Sequence, residues 1–217
     1  GSKGNVNPQR VGESLMFSQR AGRKLREFVY DDTVGTYVSP DMTVLADHIT
    51  VGTITRLAYQ QEPNRVIWAT LGNGNLLGFT FDREQQVTAW HRHVIGGTDV
   101  SVESIAVIPH PDGDQDQLWM IVNRKIGGVA TRHIEYMESE WVRGTALADA
   151  FFVDSGLSYS GAATTTISGL DHLEGETVVI LADGATHANK TVSSGSITLD
   201  VAASTVHVGL DYSATLQ

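Results

Sequence analysis

The chain has 217 residues, 41% hydrophobic and 18% charged, enough for a sizeable core and too apolar for wholesale disorder. Its formal net charge of −10 excludes tight electrostatic capture of nucleic acid, which needs clustered Lys and Arg. The absence of cysteine excludes disulfides and thiolate metal sites, and no apolar run approaches the roughly 18 residues of a membrane helix, so no membrane insertion is expected.

The start, Gly1-Ser2-Lys3-Gly4, has no signal-peptide core, and Gly1-Ser2 reads as a cloning remnant on an excised piece of a larger protein. Residues 13–31 read as a hairpin: Leu15 to Gln19, a turn at Arg20-Ala21-Gly22-Arg23, then Leu25 to Tyr30. Ser39-Pro40-Asp41 has the chemistry of a helix start, and Met42, Leu45, Ala46 and Ile49 follow at helical spacing, so one short helix is expected over 40–49. Strands resume at Ile54 to Tyr59 and Val66 to Leu71, joined by the polar loop 60–64. Asn73-Gly74 is a two-residue hairpin turn, because both residues tolerate positive φ, and it leads to Leu77 to Asp82 and Val87 to Val94. Val102 to Ile108 and Leu118 to Arg124 flank a second polar loop, 110–117, and Val129 to Met137 closes the region.

Composition shifts between Trp141 and Phe152, which marks a boundary between residues 1–145 and 146–217. The second part has strands at Thr164 to Ile167, Thr177 to Ala182, Ser196 to Val201 and Thr205 to Tyr212, with Asp183-Gly184 as a turn. In the last of these, Val206, Val208, Leu210 and Tyr212 alternate with Thr205, His207, Gly209 and Asp211, which predicts one buried face.

A loose internal echo organises the first part. Gly22 to Tyr30, shifted by 106 positions, lands on Gly128 to Tyr136, with Gly, Arg and Tyr repeating; Gly74 to Asp82 has the same shape between them. Half that spacing, about 53 residues, is close to a propeller-blade period. The expected fold is therefore all-β: propeller-like antiparallel sheet repeats with one short helix over 1–145, an incomplete set of blades, followed by a small β-barrel or sandwich over 146–217.

The chemistry-bearing residues form no catalytic set. His91 and His93 in Trp90-His91-Arg92-His93 share one face of a strand and are candidates for a metal, with His133 or Glu135 as the third ligand if strands align; structural histidines are the competing reading. Asp112, Asp114 and Asp116 stand at alternate positions, as at the start of a calcium loop, but lack its later glycine and bidentate glutamate, so an exposed acidic turn competes. Ser158 and Ser160 lack a nucleophile elbow, Asp31-Asp32 point apart in a strand, and Glu135 and Glu138 read as surface positions. Trp68 and Trp119 hold equivalent places in the echo and read as core; Trp90 and Trp141 are the freer tryptophans for stacking on sugar. No cofactor is implied.

Several phrases of the chain resemble a tailed-bacteriophage virion protein of the tail-tube or nozzle type found in short-tailed phages and related prophages. They are Phe17 to Glu27, Leu45 to Ile49, Leu57 to Pro63 with Ile67-Trp68, Thr80 to His93, Gly169 to Gly175 and Val206 to Tyr212. The resemblance implies a non-enzymatic structural protein in the virion tail, made in the bacterial cytoplasm. It further implies a homo-oligomeric ring that contacts neighbouring tail proteins and passes DNA without specific binding. A host-surface glycan-binding module, using exposed aromatics and the loops 60–64 and 110–117, is the alternative; a metal-dependent hydrolase built on His91 and His93 is the third.

Overall fold

Short apolar runs between turn residues leave little for an α-helix, and the computed structural model, which describes residues 1–214, contains none among them. The last three residues of the expected 146–217 module lie outside the described residues. The strands are β1 (Gln9–Val11), β2 (Ser14–Ser18), β3 (Leu25–Asp31), β4 (Thr36–Val38), β5 (Ile54–Gln60), β6 (Val66–Leu71), β7 (Leu76–Asp82) and β8 (Val87–His93). They continue with β9 (Thr98–Pro109), β10 (Asp116–Ile126), β11 (Val129–Tyr136), β12 (Asp154–Ser168), β13 (Thr177–Ala182), β14 (Ala185–Thr191) and β15 (Ser196–Leu210). They form four antiparallel sheets, ordered β1-β2-β3-β4, β5-β6-β7-β8, β9-β10-β11 and β12-β15-β13-β14. Neither a closed propeller nor a closed barrel is present among the described residues.

The echo has a structural counterpart. Gly22, Gly74 and Gly128 all sit at positive φ, 81°, 86° and 83°, and each turns the chain toward the third strand of a meander: β3, β7 and β11.

The expected helix over 40–49 does not form. Glu27 donates its backbone N–H to the Pro40 carbonyl and Met42 donates to the Leu25 carbonyl, so Pro40 to Met42 are held extended against β3. Asp41 turns its carboxylate onto Thr43 N at 2.9 Å, and single turns follow, from Ala46 N to Thr43 O and from Ile49 N to Ala46 O. Ten residues of moderate propensity make a marginal helix, and pairing with a strand outcompetes it. Met42 and Ile49 still face the core, at spacing that mimicked a helix.

The chain divides into two compact units. The first takes Gly1–His93, Ser101–Val122 and Ile134–Met137; the second takes Val94–Val100, Asn123–His133 and the chain from Glu138 onward. Strands β9, β10 and β11 each contribute residues to both.

In the first unit the two four-stranded meanders share one core. Val11, Met16 and Leu25 from one sheet meet Ile54, Ile67, Leu77 and Phe79 from the other. All six residues of β6 are buried, so this central strand is covered on both faces and reads as an unbroken apolar run. A carboxylate is buried in this region: Glu27 of β3, only 2% exposed, accepts from Ser14 Oγ on β2 and from Arg83 in the β7–β8 turn. A carboxylate taken out of water is tolerated only with such partners.

In the second unit β15 lies between β12 and β13. The expectation of one buried face on β15 is corrected here: Val206 to Leu210 are all buried. The start of β12 and Val153 just before it cover the other side, where a side chain at Gly209 would meet the Asp154 carbonyl at 2.7 Å and Val153 at 2.9 Å. Asp183 and Gly184 form the expected turn, both at positive φ, and the Asp183 carboxylate accepts the Thr205 N–H at 2.8 Å.

We expect Glu27→Ala to cost the first unit about 2–3 kcal/mol, because it leaves Ser14 and Arg83 without their acceptor. Arg83→Ala, which leaves the buried Glu27 carboxylate without its cation, should cost at least as much. Urea unfolding followed by fluorescence of Trp68, Trp90 and Trp119 measures both.

Candidate functional site

Cross-strand register assembles the histidine cluster. Trp68 on β6, Gly78 on β7 and His91 on β8 are successive partners, so they form one row on one face of the sheet. A Cβ at Gly78 would stand 2.0 Å from His91 Cε1, so glycine is what lets the imidazole lie over β7. His91 Nδ1 is 2.7 Å from His93 Nε2, and His91 Nε2 is 3.2 Å from Thr80 Oγ1. The Trp68 ring stands edge-on to both imidazoles, with centroids 5.9 and 4.9 Å away.

Burial pushes the His91 ring below its ordinary range. Burial, and secondarily the neighbouring His91, push His93 down to about 4. The nitrogens a metal would need are thus turned on each other and on Thr80. Among the described residues no group of three or more His, Cys, Asp or Glu is placed to hold an ion, so neither His133 nor Glu135 joins the pair in one.

The acidic loop does not converge either. Asp116 accepts the backbone N–H groups of Gln61 at 2.8 Å and Glu62 at 3.1 Å, and its own N–H reaches the Glu62 carbonyl at 3.1 Å. Its carboxylate therefore ties the loops 60–64 and 110–117 together. Asp112 is 80% exposed, 3.6 Å from His110 Nδ1, and Asp114 is exposed.

The tryptophans are structural to different degrees. Trp68 is 4% exposed and donates to Gln60 Oε1; Trp119 is half-buried and donates to Gln117 Oε1. Trp90 stacks on Phe79 at 4.6 Å and donates to the Met42 carbonyl at 2.8 Å, so it anchors the 40–49 turns. Trp141 donates to the Ala146 carbonyl at 3.3 Å. Three exposed rings gather on the outer face of β3 and β4, Phe28, Tyr30 and Tyr37: Tyr37 stacks on Phe28 at 4.8 Å and meets Tyr30 edge-on at 5.3 Å. The β3–β4 register, with Tyr30 opposite Tyr37, builds this cluster, and nothing in the spacing of the sequence announced it.

Sequence reasoning also missed a serine–histidine contact in the second unit. Ser158 on β12 lies directly opposite His207 on β15, with Oγ 2.7 Å from Nδ1; His207 Nε2 is 2.8 Å from the Ala148 carbonyl. The two residues are 49 positions apart and belong to no local motif.

One of the phrases that carried the family resemblance, Gly169 to Gly175, holds a turn through Glu174. Glu174 accepts from Gly195 N at 2.8 Å and Ser194 N at 3.0 Å, and these bonds, Gly195's first, hold its carboxyl below the ordinary range. No protein-family model matches the chain, and no curated protein matches it in sequence.

The histidine pair makes the first unit acid-sensitive. Both rings are neutral when folded at neutral pH, whereas the unfolded chain takes up protons below pH of about 6.5. The pair's contribution is therefore complete above that pH and lost progressively as pH falls toward about 4. Between pH 7 and roughly 4.5 the parent should lose about 2 kcal/mol more than His93→Gln, read from urea midpoints at each pH.

Proposed function

We propose that the chain is a structural component of a bacteriophage tail, part of an oligomeric tail tube or nozzle through which DNA passes, acting by assembly and not by turnover. The observation that supports this best is the succession of antiparallel meanders, each with a positive-φ glycine turning into its third strand. Such blade-like units, propeller-like in strand order, bury their faces against neighbours and belong to extended assemblies. The β12–β15 sheet would be the appended module, of barrel or sandwich type. The family phrases from Phe17 to Tyr212 point the same way, and the net charge of −10 suits a conduit that repels DNA and lets it slide.

The ring cluster of Phe28, Tyr30 and Tyr37 favours a second reading, contact with a host-surface glycan, since exposed aromatic faces stack on sugars.

Peptides of this chain should band with intact particles in a density gradient, in several copies per particle, and the purified protein should leave duplex DNA unshifted on a gel at low salt. Absence from the particles, or tight DNA binding, contradicts the tail reading. Glycan-array binding that is lost in Tyr37→Ala would favour the second.

A further inference from the structure

We infer that Ser158 is a base-activated nucleophile that takes an acyl group from an activated ester in one covalent step. His207 is only 8% exposed, and its Nε2 lies 2.8 Å from a backbone carbonyl oxygen, that of Ala148, which can only accept. In the neutral ring Nε2 therefore carries the hydrogen, and Nδ1 is left with its lone pair. That lone pair faces Ser158 Oγ at 2.7 Å, so the hydroxyl donates to it. Phe151 stands edge-on to the imidazole at 5.5 Å and closes one side.

A nucleophile, a base within hydrogen-bond reach and a third group that orients the base make up the constellation that activates serine on unrelated folds. Here the orienting group is a carbonyl, and the partners face each other across two strands. Ser158 itself is exposed, so a donor can reach Oγ while the base stays sheltered. Ser160, on the same strand and face and also exposed, lies opposite Thr205 and has no base.

The chemistry balances without a cofactor. Oγ attacks the ester carbonyl carbon as its proton passes to His207 Nδ1. The carbonyl re-forms, the bond to the leaving oxygen breaks, and the proton on Nδ1 goes to that oxygen. The products are an acyl-Ser158 ester and a free alcohol. One such event per chain needs no turnover, so the assignment is independent of the tail reading and compatible with it.

The test uses the intact protein with an alkyl fluorophosphonate and, separately, p-nitrophenyl acetate, with peptide mapping by mass spectrometry. Modification should fall on Ser158 at roughly 100 times the rate at Ser160, and His207→Gln should remove most of that difference. Ser158→Ala should abolish the adduct. Equal labelling of Ser158 and Ser160, no adduct on Ser158, or labelling of Ser158 that is indifferent to His207→Gln in a folded variant would each overturn the assignment. If His207→Gln fails to fold, the Ser158-to-Ser160 ratio in the parent decides alone.

Discussion

An antiparallel sheet presents two faces, and with no α-helix among the described residues this chain has only other sheets and loops to cover them. That constraint shapes both units. In the first, two meanders face each other over a shared apolar core, and the buried Glu27 links β2, β3 and the β7–β8 turn through Ser14 and Arg83. In the second, the segment just before β12 closes the side of β15 that carries His207 and Gly209. Polar groups inside these layers keep partners, from a neighbouring turn, the same strand or the strand opposite: Glu27 with Arg83, His91 with His93, His207 with Ser158.

Much of the first unit was legible because its signals are local. Alternating apolar residues and the Asn73-Gly74 and Arg20 to Arg23 turns fix β2, β3, β6 and β7 almost to the residue. The echo was also legible, and register turns it into the third strand of three meanders. The segment 40–49 was misread because a helix start and helical spacing are local, whereas its pairing with Leu25 and Glu27 is not. Strand β14, Ala185 to Thr191, has poor β-propensity and exists because the Asp183-Gly184 turn folds it back on β13. The burial of His207 depends on a segment almost sixty residues away, and no periodicity within β15 carries that information.

The candidate sites divide along the same line. Placing His91 and His93 on one face needed only the period of a strand, but what they do there depends on Gly78 making room and Trp68 standing beside them. Their mutual bond and low affinity for protons make them a packing device of neutral polar groups. Asp116, read from spacing beside Asp112 and Asp114, instead clamps a neighbouring loop through two backbone N–H groups. Spacing reveals which residues share a face; tertiary register decides which of them share a task.

The central claim is that these meanders are repeated structural units of a phage tail. Electron cryomicroscopy of intact virions tests it most directly, by fitting the β1–β8 sheets, with their Glu27–Arg83 link, into the density. The account predicts a ring of copies at the distal end of the tail around an open channel. Density for the protein in the capsid shell, or in no part of the particle, would contradict it.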